Sequence, residues 1–538
     1  MLDSNFSLLY PNGDQNRDDH VSITDEVITE LGLDFLIDLK NSNLSDYMTT
    51  DRETIEYRNE TLSDMLENPT IVDTLKGTLK LLSDIVELRR IKSETEVAKN
   101  YLYSITEIEL YIDIVSKLAK GFQAVRGNVK SSAFRRMTET VTELSESEYY
   151  RNLNKQLGEL TAKVHEVKSI TIGVNLDSEF RPVDAGVVSL NADTFKSGKV
   201  IDKILRMDFK DDDYTCIAPL VPYTRSNTDN AKIAFTNAFN NAMNDIFKAD
   251  VRQWRQLVQS YVLSNTDFLL RIMPEIEFLT KAQHLLLALK SRGLALATPK
   301  IAPIDDKEFN VKGIYNPCVA LKVDSKMVKN DINFDENAKI YVLTGPNRGG
   351  KSVITCAVGQ VQALAQLGLP VPADSAVISP VTAIYTHFPT RSDGDDTIEK
   401  GRLGEECDRL NKIFDTLDSR SLILLDESFS STGSYEASYI ASEVLTGFSI
   451  IGWRCPFSTH PHELSNQLDE INAKCRAEGG VPIDTLVAGI HGSERSFEII
   501  RAKPDGKSYA RDIAEKFGLS YDRIMDRVKA KKADEKKS

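Results

Sequence analysis

The segment Gly345-Pro-Asn-Arg-Gly-Gly-Lys351-Ser352 constrains this chain more than any other stretch. It fits the spacing G-x-x-x-x-G-K-S/T, in which glycines let the backbone wrap a phosphate chain more closely than Cβ atoms allow. The apolar run Lys339-Ile-Tyr-Val-Leu343 leads directly into it and reads as a buried strand. Val353 to Leu367 follows as a helix, whose first turn offers free N–H groups and a positive dipole end to an anion. Gly345, Pro346, Asn347, Arg348, Gly349 and Gly350 are expected to form the loop. Lys351 is expected to reach the β- and γ-phosphates and Ser352 to ligate Mg²⁺, which makes ATP and Mg²⁺ the implied ligands.

A second apolar run, Ser421-Leu-Ile-Leu-Leu425, ends in Asp426-Glu427. Acidic residues at the carboxyl end of a strand stand where a phosphate-binding sheet holds its metal, so Asp426 is read as a Mg²⁺ ligand. Glu427 is read as the catalytic base, because a carboxylate beside the γ-phosphate can take a proton from the attacking water. Phe448-Ser-Ile-Ile451 is a third strand candidate, ahead of Thr459-His460. In that order His460 is expected to contact the γ-phosphate and to join Glu427 in catalysis.

The remainder is helical and acidic. With 538 residues the chain exceeds one compact core, and about three or four domains are expected. A formal net charge of −14 gives nucleic acid no overall attraction, so any contact with DNA needs a local basic surface. The six cysteines are scattered without a C-x-x-C pair, which favours reduced thiols over a disulfide framework or a zinc site. The N-terminal residues lack a secretory pattern, and no apolar run approaches the roughly 18 residues of a membrane span. The expectation is a soluble, cytoplasmic protein with no membrane partner, at the nucleoid in a bacterial source.

From Thr24 to Val167 the apolar period is helical, with Leu75, Leu79, Leu82 and Val86 on one face and Ile105, Ile108, Ile112, Val115, Ala119 and Phe122 on another. Ser169–Leu176 and Gly186–Leu190 read as short strands. Helical periodicity returns from Ile233 to Leu296, interrupted by Pro274.

These residues carry a resemblance. The stretches Gly345–Ser352, Leu422–Tyr435 and Phe457–His460 resemble the ATPase domain of the MutS family. Lys507-Ser-Tyr-Ala510, Ile513-Ala514 and Phe517-Gly-Leu519 resemble its C-terminal helix-turn-helix, and Ile55-Glu-Tyr-Arg58 the start of its lever. The fold class implied is multidomain: a long α-helical lever with a small β-containing clamp, then an α/β P-loop ABC-type ATPase domain and a C-terminal helix-turn-helix. The implied boundaries are an N-terminal segment 1–23, helical lever 24–167, clamp insertion 168–230, returning lever helices 231–298, ATPase domain 299–500, and dimerisation region with charged tail 501–538. The resemblance implies a homodimer with composite ATP sites, in which Ser430, Ser431 and Thr432 face the other subunit's nucleotide.

The departures from that family are specific. Nothing before Thr24 supplies a Phe-x-Glu wedge, so direct mismatch readout is not expected. Gly401-Arg-Leu-Gly-Glu-Glu406 occupies the place of the trans-acting signature, yet Leu403 and Gly404 have no side-chain donor. Trans activation is then either altered or carried by Arg402 and backbone amides. Met327 aligns with an aromatic that stacks on adenine in relatives. Arg126, Lys130, Arg135 and Arg136, with Lys196 and Lys199 followed by Lys203, Arg206 and Lys210, are candidate contacts to DNA phosphates without sequence readout. Two functions follow: a MutS-like ATPase clamping on repair or recombination intermediates, or a nucleotide-switched dimeric scaffold for protein partners. A transport ATPase is disfavoured by the missing Leu-Ser-Gly-Gly-Gln signature.

Overall fold

A computed structural model describes residues 6–14, 16–94, 101–165, 168–180, 182–194, 267–346, 348–389, 401–416, 418–459, 464–465, 467–491, 494–503 and 518–535. In chain order the first helices are α1 (Asp25–Glu30), α2 (Leu33–Leu36), α3 (Arg52–Glu67), α4 (Pro69–Glu94), α5 (Tyr101–Val125), α6 (Ser132–Glu146) and α7 (Glu148–His165). Strands β1 (Ser169–Leu176) and β2 (Pro182–Asn191) follow, then α8 (Met273–Ser291), β3 (Lys300–Ile301), β4 (Phe309–Ile314), α9 (Pro317–Lys322) and β5 (Asn330–Phe334). The chain continues through β6 (Ile340–Thr344), α10 (Lys351–Gln366), β7 (Ser375–Ile378), β8 (Ile384–His387), α11 (Gly401–Thr416) and β9 (Leu422–Asp426). It ends with α12 (Ser434–Ile451), β10 (Cys455–Ser458), α13 (Leu468–Ala477), β11 (Ile483–His491), β12 (Glu494–Arg501) and α14 (Tyr521–Glu535).

By internal packing the chain forms two compact units, Met1–Leu8 with Glu67–Glu277, and Leu9–Leu66 with Phe278–Ser538. In the first, α4 opens on Pro69, whose fixed φ and missing N–H suit the first helical position. Its buried stripe is Ile71, Leu75, Thr78, Leu82 and Ile85, alternating by four and three as a helical core face requires. Val86, expected on this face, is 46% exposed, because it lies one residue past the stripe and about 100° around the helix. Along α5, Ile108, Ile112, Val115 and Phe122 are buried as the period implies. Ser131 caps α6 by accepting from the Phe134 amide at 3.4 Å. Strands β1 and β2 form an antiparallel hairpin, turned by Phe180 at a φ of 60°.

The second unit is built on a six-stranded sheet in the order β12-β11-β6-β10-β9-β8. β11, β6, β10, β9 and β8 run parallel, and β12 closes one edge antiparallel. Every residue of β6, β9 and β10 is buried, as expected of parallel strands covered on both faces. A second sheet has the order β3-β7-β4-β5. Residues Leu9–Leu66 pack with this unit, whereas the helical period alone groups 24–66 with the lever. The reason is visible at Arg58, which is fully buried and donates to the carbonyls of Leu9, Tyr47 and Leu367. A buried guanidinium needs such acceptors, and three separate chain segments supply them here.

One expected strand is replaced by helix. Phe448–Ile451 is not a strand but the last turn of α12, closed by Gly452 at a φ of 82°. A short apolar run is equally compatible with a buried helix face, and here Phe448 packs edge-on against Trp453 at 4.8 Å. The strand that follows is Cys455–Ser458, which pairs with β6 and β9 despite Pro456, a residue that argues against a central strand. The interruption read at Pro274 is present: helical backbone runs through 267–271, a turn stands at Ile272, and α8 opens afresh at Met273 with Pro274 in its first turn. The segment 195–266, with Lys196, Lys199, Lys203, Arg206 and Lys210, lies outside the described residues, as does 504–517 of the expected helix-turn-helix.

Candidate active site

The site forms where β6, β9 and β10 end, because parallel strands carry their loops to one edge of the sheet. β6 delivers Gly345 at a φ of 131°, followed by Arg348 at 60° and Gly350 at 96°. At Gly345 an added Cβ would lie 2.8 Å from Ala488 Cβ, and at Gly349 2.9 Å from the Pro346 carbonyl oxygen. Only glycine fits this cradle. Gly350 then caps α10 without a side-chain hydrogen bond, leaving the first N–H groups of a 16-residue helix for an anion.

Lys351 is buried, and its Nζ donates to the carbonyls of Gly345 at 3.0 Å and Pro346 at 3.1 Å. Burial lowers its pKa from the ordinary lysine value, opposed by the nearby carboxylates of Glu427 and Asp426. The ammonium thus lies along the loop that would take the phosphates. Ser352 Oγ donates to Asp426 Oδ1 at 3.0 Å, joining the loop to the end of β9. Burial raises the Asp426 pKa, and hydrogen bonds from Ser458 and Ser352 work against that rise. A hydroxyl and a buried carboxylate in contact form a hard oxygen donor pair, which suits Mg²⁺. Glu427 follows at a φ of 49°, its amide donating to the Ser458 carbonyl at 2.8 Å. β10 therefore holds both acidic residues through Ser458.

A cavity of about 540 Å³ opens beside this cluster, lined among others by Met327, Arg348, Gly350, Lys351, Ser352 and Glu427. Its volume lies within the roughly 300–1,000 Å³ of small-molecule sites. The described residues include Pro346, Arg348, Gly349 and Gly350 of the loop; Asn347 and His460 lie outside them. The backbone of Arg402 belongs to the first turn of α11, while its side chain lies outside the description. Ser430 and Ser431 are exposed in the turn after β9, and the Thr432 hydroxyl donates to the Glu436 carboxylate. Arg126 and Arg135 are exposed; Lys130 pairs with Glu67 at 2.7 Å, and Arg136 lies over the Phe6 ring at 5.5 Å.

Two lining residues escaped the sequence reading. Asn316 caps α9 through Val319 N at 3.0 Å and donates to the Val353 carbonyl at 3.3 Å, tying the cavity wall to α10. Asn followed by Pro is a readable helix start, so a signal existed. Phe497, at a φ of 57° in β12, lies directly beside Gly350 in the cavity lining, where a Cβ on Gly350 would stand 3.6 Å from its ring, and nothing in its local sequence marks it. Among the described residues the cysteines are free, none of the His, Cys, Asp and Glu groupings could hold a metal as a cluster of three, and no helix is long and apolar enough to cross a membrane.

Comparison with known proteins gives two family matches. The family described as MutS domain V matches residues 341–514, which contain this site, and the MutS2 N-terminal domain matches residues 50–292. The chain is 35% identical over 168 residues to the DNA mismatch repair protein MutS of Roseiflexus sp. (strain RS-1), covering 30% of this chain and 15% of that protein. It is 35% identical over 175 residues to the DNA mismatch repair protein MutS of Prochlorococcus marinus (strain MIT 9301), covering 31% of this chain and 19% of the relative. Against the DNA mismatch repair protein MutS 1 of Haloarcula marismortui it is 28% identical over 245 residues, 44% of this chain and 26% of that protein. The chain thus spans about a quarter or less of the length of these relatives.

Proposed function

Because the chain belongs to the MutS family, we propose that it is a Mg²⁺-dependent ATPase of the DNA-repair type, whose nucleotide cycle drives clamping on DNA. The observation that carries this reading is the Ser352–Asp426 hydrogen bond at 3.0 Å, with Glu427 the next residue and Lys351 the previous one. Two elements distant in sequence thereby supply one hydroxyl, one buried carboxylate, one cation and one candidate base around a single cavity. Ser352 and Asp426 would hold Mg²⁺, which when bound neutralises charge on the β- and γ-phosphate oxygens. Backbone amides at the end of the loop and the start of α10 would donate to the phosphates, and Lys351 would exchange its carbonyl partners for phosphate oxygens. Glu427 accepts a proton from the attacking water. Met327 and Phe497 are apolar side chains in the cavity lining, against which an adenine ring would pack.

The finer assignments belong to this proposal: lever, clamp and ATPase domain in the order expected from sequence, a homodimer with composite sites, Arg402 and Ser430–Thr432 facing the partner, His460 at the γ-phosphate, and sequence-nonspecific DNA contact without mismatch readout. The test is steady-state ATP hydrolysis by the purified chain with and without duplex, branched and single-stranded DNA, at several salt concentrations. Stimulation or inhibition that fades with salt supports a DNA-engaging ATPase. One observation favours the scaffold reading instead: Lys130 and Arg136 are occupied by Glu67 and Phe6 within their own unit. Hydrolysis indifferent to every DNA form would establish that alternative.

A further inference from the structure

Resting on the ATPase reading, we infer that Glu406 and His387 are positioning residues, which hold the backbone after β9 in a left-handed conformation and so place the carboxylate of Glu427. The stretch Glu427-Ser-Phe429 is unusual in containing two non-glycine residues at positive φ, 49° and 64°. Such a backbone is disfavoured for side chains with a Cβ and persists only where the surroundings over-determine it.

Four hydrogen bonds and one ring contact supply that determination. The Glu427 amide donates to the Ser458 carbonyl at 2.8 Å. Ser428 Oγ lies 2.7 Å from His387 Nδ1, and it donates to the His387 carbonyl at 3.2 Å. The Phe429 amide donates to Glu406 Oε2 at 2.7 Å. The Phe429 side chain is buried, its ring 6.3 Å from that of His387. His387 closes β8 and Glu406 stands in the second turn of α11, so both neighbours of the β9 end converge on this turn.

The chemistry fits a positioning role. His387 is 3% exposed, and burial with the Arg409 guanidinium nearby pulls its pKa down to about 4, so near neutral pH it is an uncharged imidazole bonded to Ser428. Glu406 accepts from an amide that no strand partner takes, and it sits two peptide links from the proposed base. A displacement of α11 would therefore act on the Phe429 amide directly, and through it on the direction of the Glu427 side chain. The same helix begins at Gly401, within the stretch that occupies the place of the family's trans-acting signature.

The experiment compares the wild-type chain with Glu406→Ala and Glu406→Gln. Turnover, KM, affinity for a fluorescent ATP analogue, the thermal midpoint, and amide exchange of the peptide 427–432 are measured for each. Glu406→Ala should lower kcat about 100-fold, the loss that small misplacements of catalytic groups produce, with faster exchange in 427–432. Nucleotide affinity and thermal midpoint should stay near wild type. Glu406→Gln, whose amide oxygen still accepts from Phe429, should restore kcat to within about threefold and restore slow exchange. A wild-type kcat in Glu406→Ala overturns the inference and leaves the ATPase reading standing; so does failure of the Gln variant to restore turnover. No hydrolysis by the wild-type chain overturns the ATPase reading, and this inference with it. Should Glu406→Ala not fold, Ser428→Ala carries the same comparison through the His387 bond, and unchanged turnover and exchange there overturn the proposal.

Discussion

Replacing Gly345 by alanine should weaken ATP binding by more than an order of magnitude while leaving the fold intact. At a φ of 131° the position lies in a region open almost only to glycine, where another residue costs about 1–3 kcal/mol. The new Cβ would also stand 2.8 Å from Ala488 Cβ and 3.1 Å from Ala488 N. Ala488 cannot retreat, because β11 is locked to β6 by the pairs Leu486–Leu343 and Val487–Thr344. The loop must therefore move. Without ligand it relaxes at little expense, and the strain is met only when phosphate requires the original shape. About 2 kcal/mol charged to binding is about 30-fold in Kd. The assay is titration of a fluorescent ATP analogue, beside a thermal melt. Gly158→Ala serves as control, since a Cβ at that helical position meets nothing within 4 Å. It should leave the nucleotide affinity unchanged and add up to about 1 kcal/mol of stability through helix propensity. A Gly345→Ala protein binding ATP with wild-type affinity would refute the argument that this backbone shape is the phosphate-binding one.

Three further outcomes are expected. Glu427→Gln should retain ATP binding while slowing single-turnover hydrolysis by about 100- to 10,000-fold, and an unchanged single-turnover rate removes Glu427 as the base. Lys351→Ala should lose charge-assisted bonds to phosphate and bind ATP on the order of 100-fold more weakly; tight binding by calorimetry would contradict the role. His387 has a folded pKa of about 4 against an ordinary 6.5, so between these values the unfolded chain holds the extra proton and stability rises with pH. Its contribution is complete above about 6.5 and is lost as pH falls toward about 4, a span of about 3 kcal/mol. Urea unfolding across that range should give a shallower pH dependence for His387→Gln than for the wild type, and parallel curves would count against the burial argument.

The glycine-rich loop between its flanking strand and helix, and the Asp426-Glu427 strand end, were readable from residue order alone. Each is a local rule: glycine where Cβ cannot fit, apolar runs of strand length, a carboxylate at a strand terminus. The hairpin β1–β2 was visible for the same reason, as β-branched runs bounded by turn residues. What local rules could not decide was which alternative a run adopts when two are sterically equal. Phe448–Ile451 became helix because Trp453 receives Phe448, and Cys455–Ser458 became a central strand although Pro456 argues against it. Residues Leu9–Leu66 joined the unit of the six-stranded sheet through acceptors that Arg58 finds at Leu9 and Leu367, far apart in the chain.

The sequence by itself determined the chemistry on offer: a glycine-rich loop, a cation, a hydroxyl and two carboxylates. Only the tertiary structure decided their arrangement. It brought Ser352 against Asp426, set Phe497 and Met327 in the lining of one cavity, and held Glu427 and Phe429 at positive φ with side chains from β8 and α11. The physical reason is that hydrogen-bond partners and strained backbone are properties of the surroundings. A residue type announces what it can donate or accept, but the partner arrives from wherever the sheet order carries it.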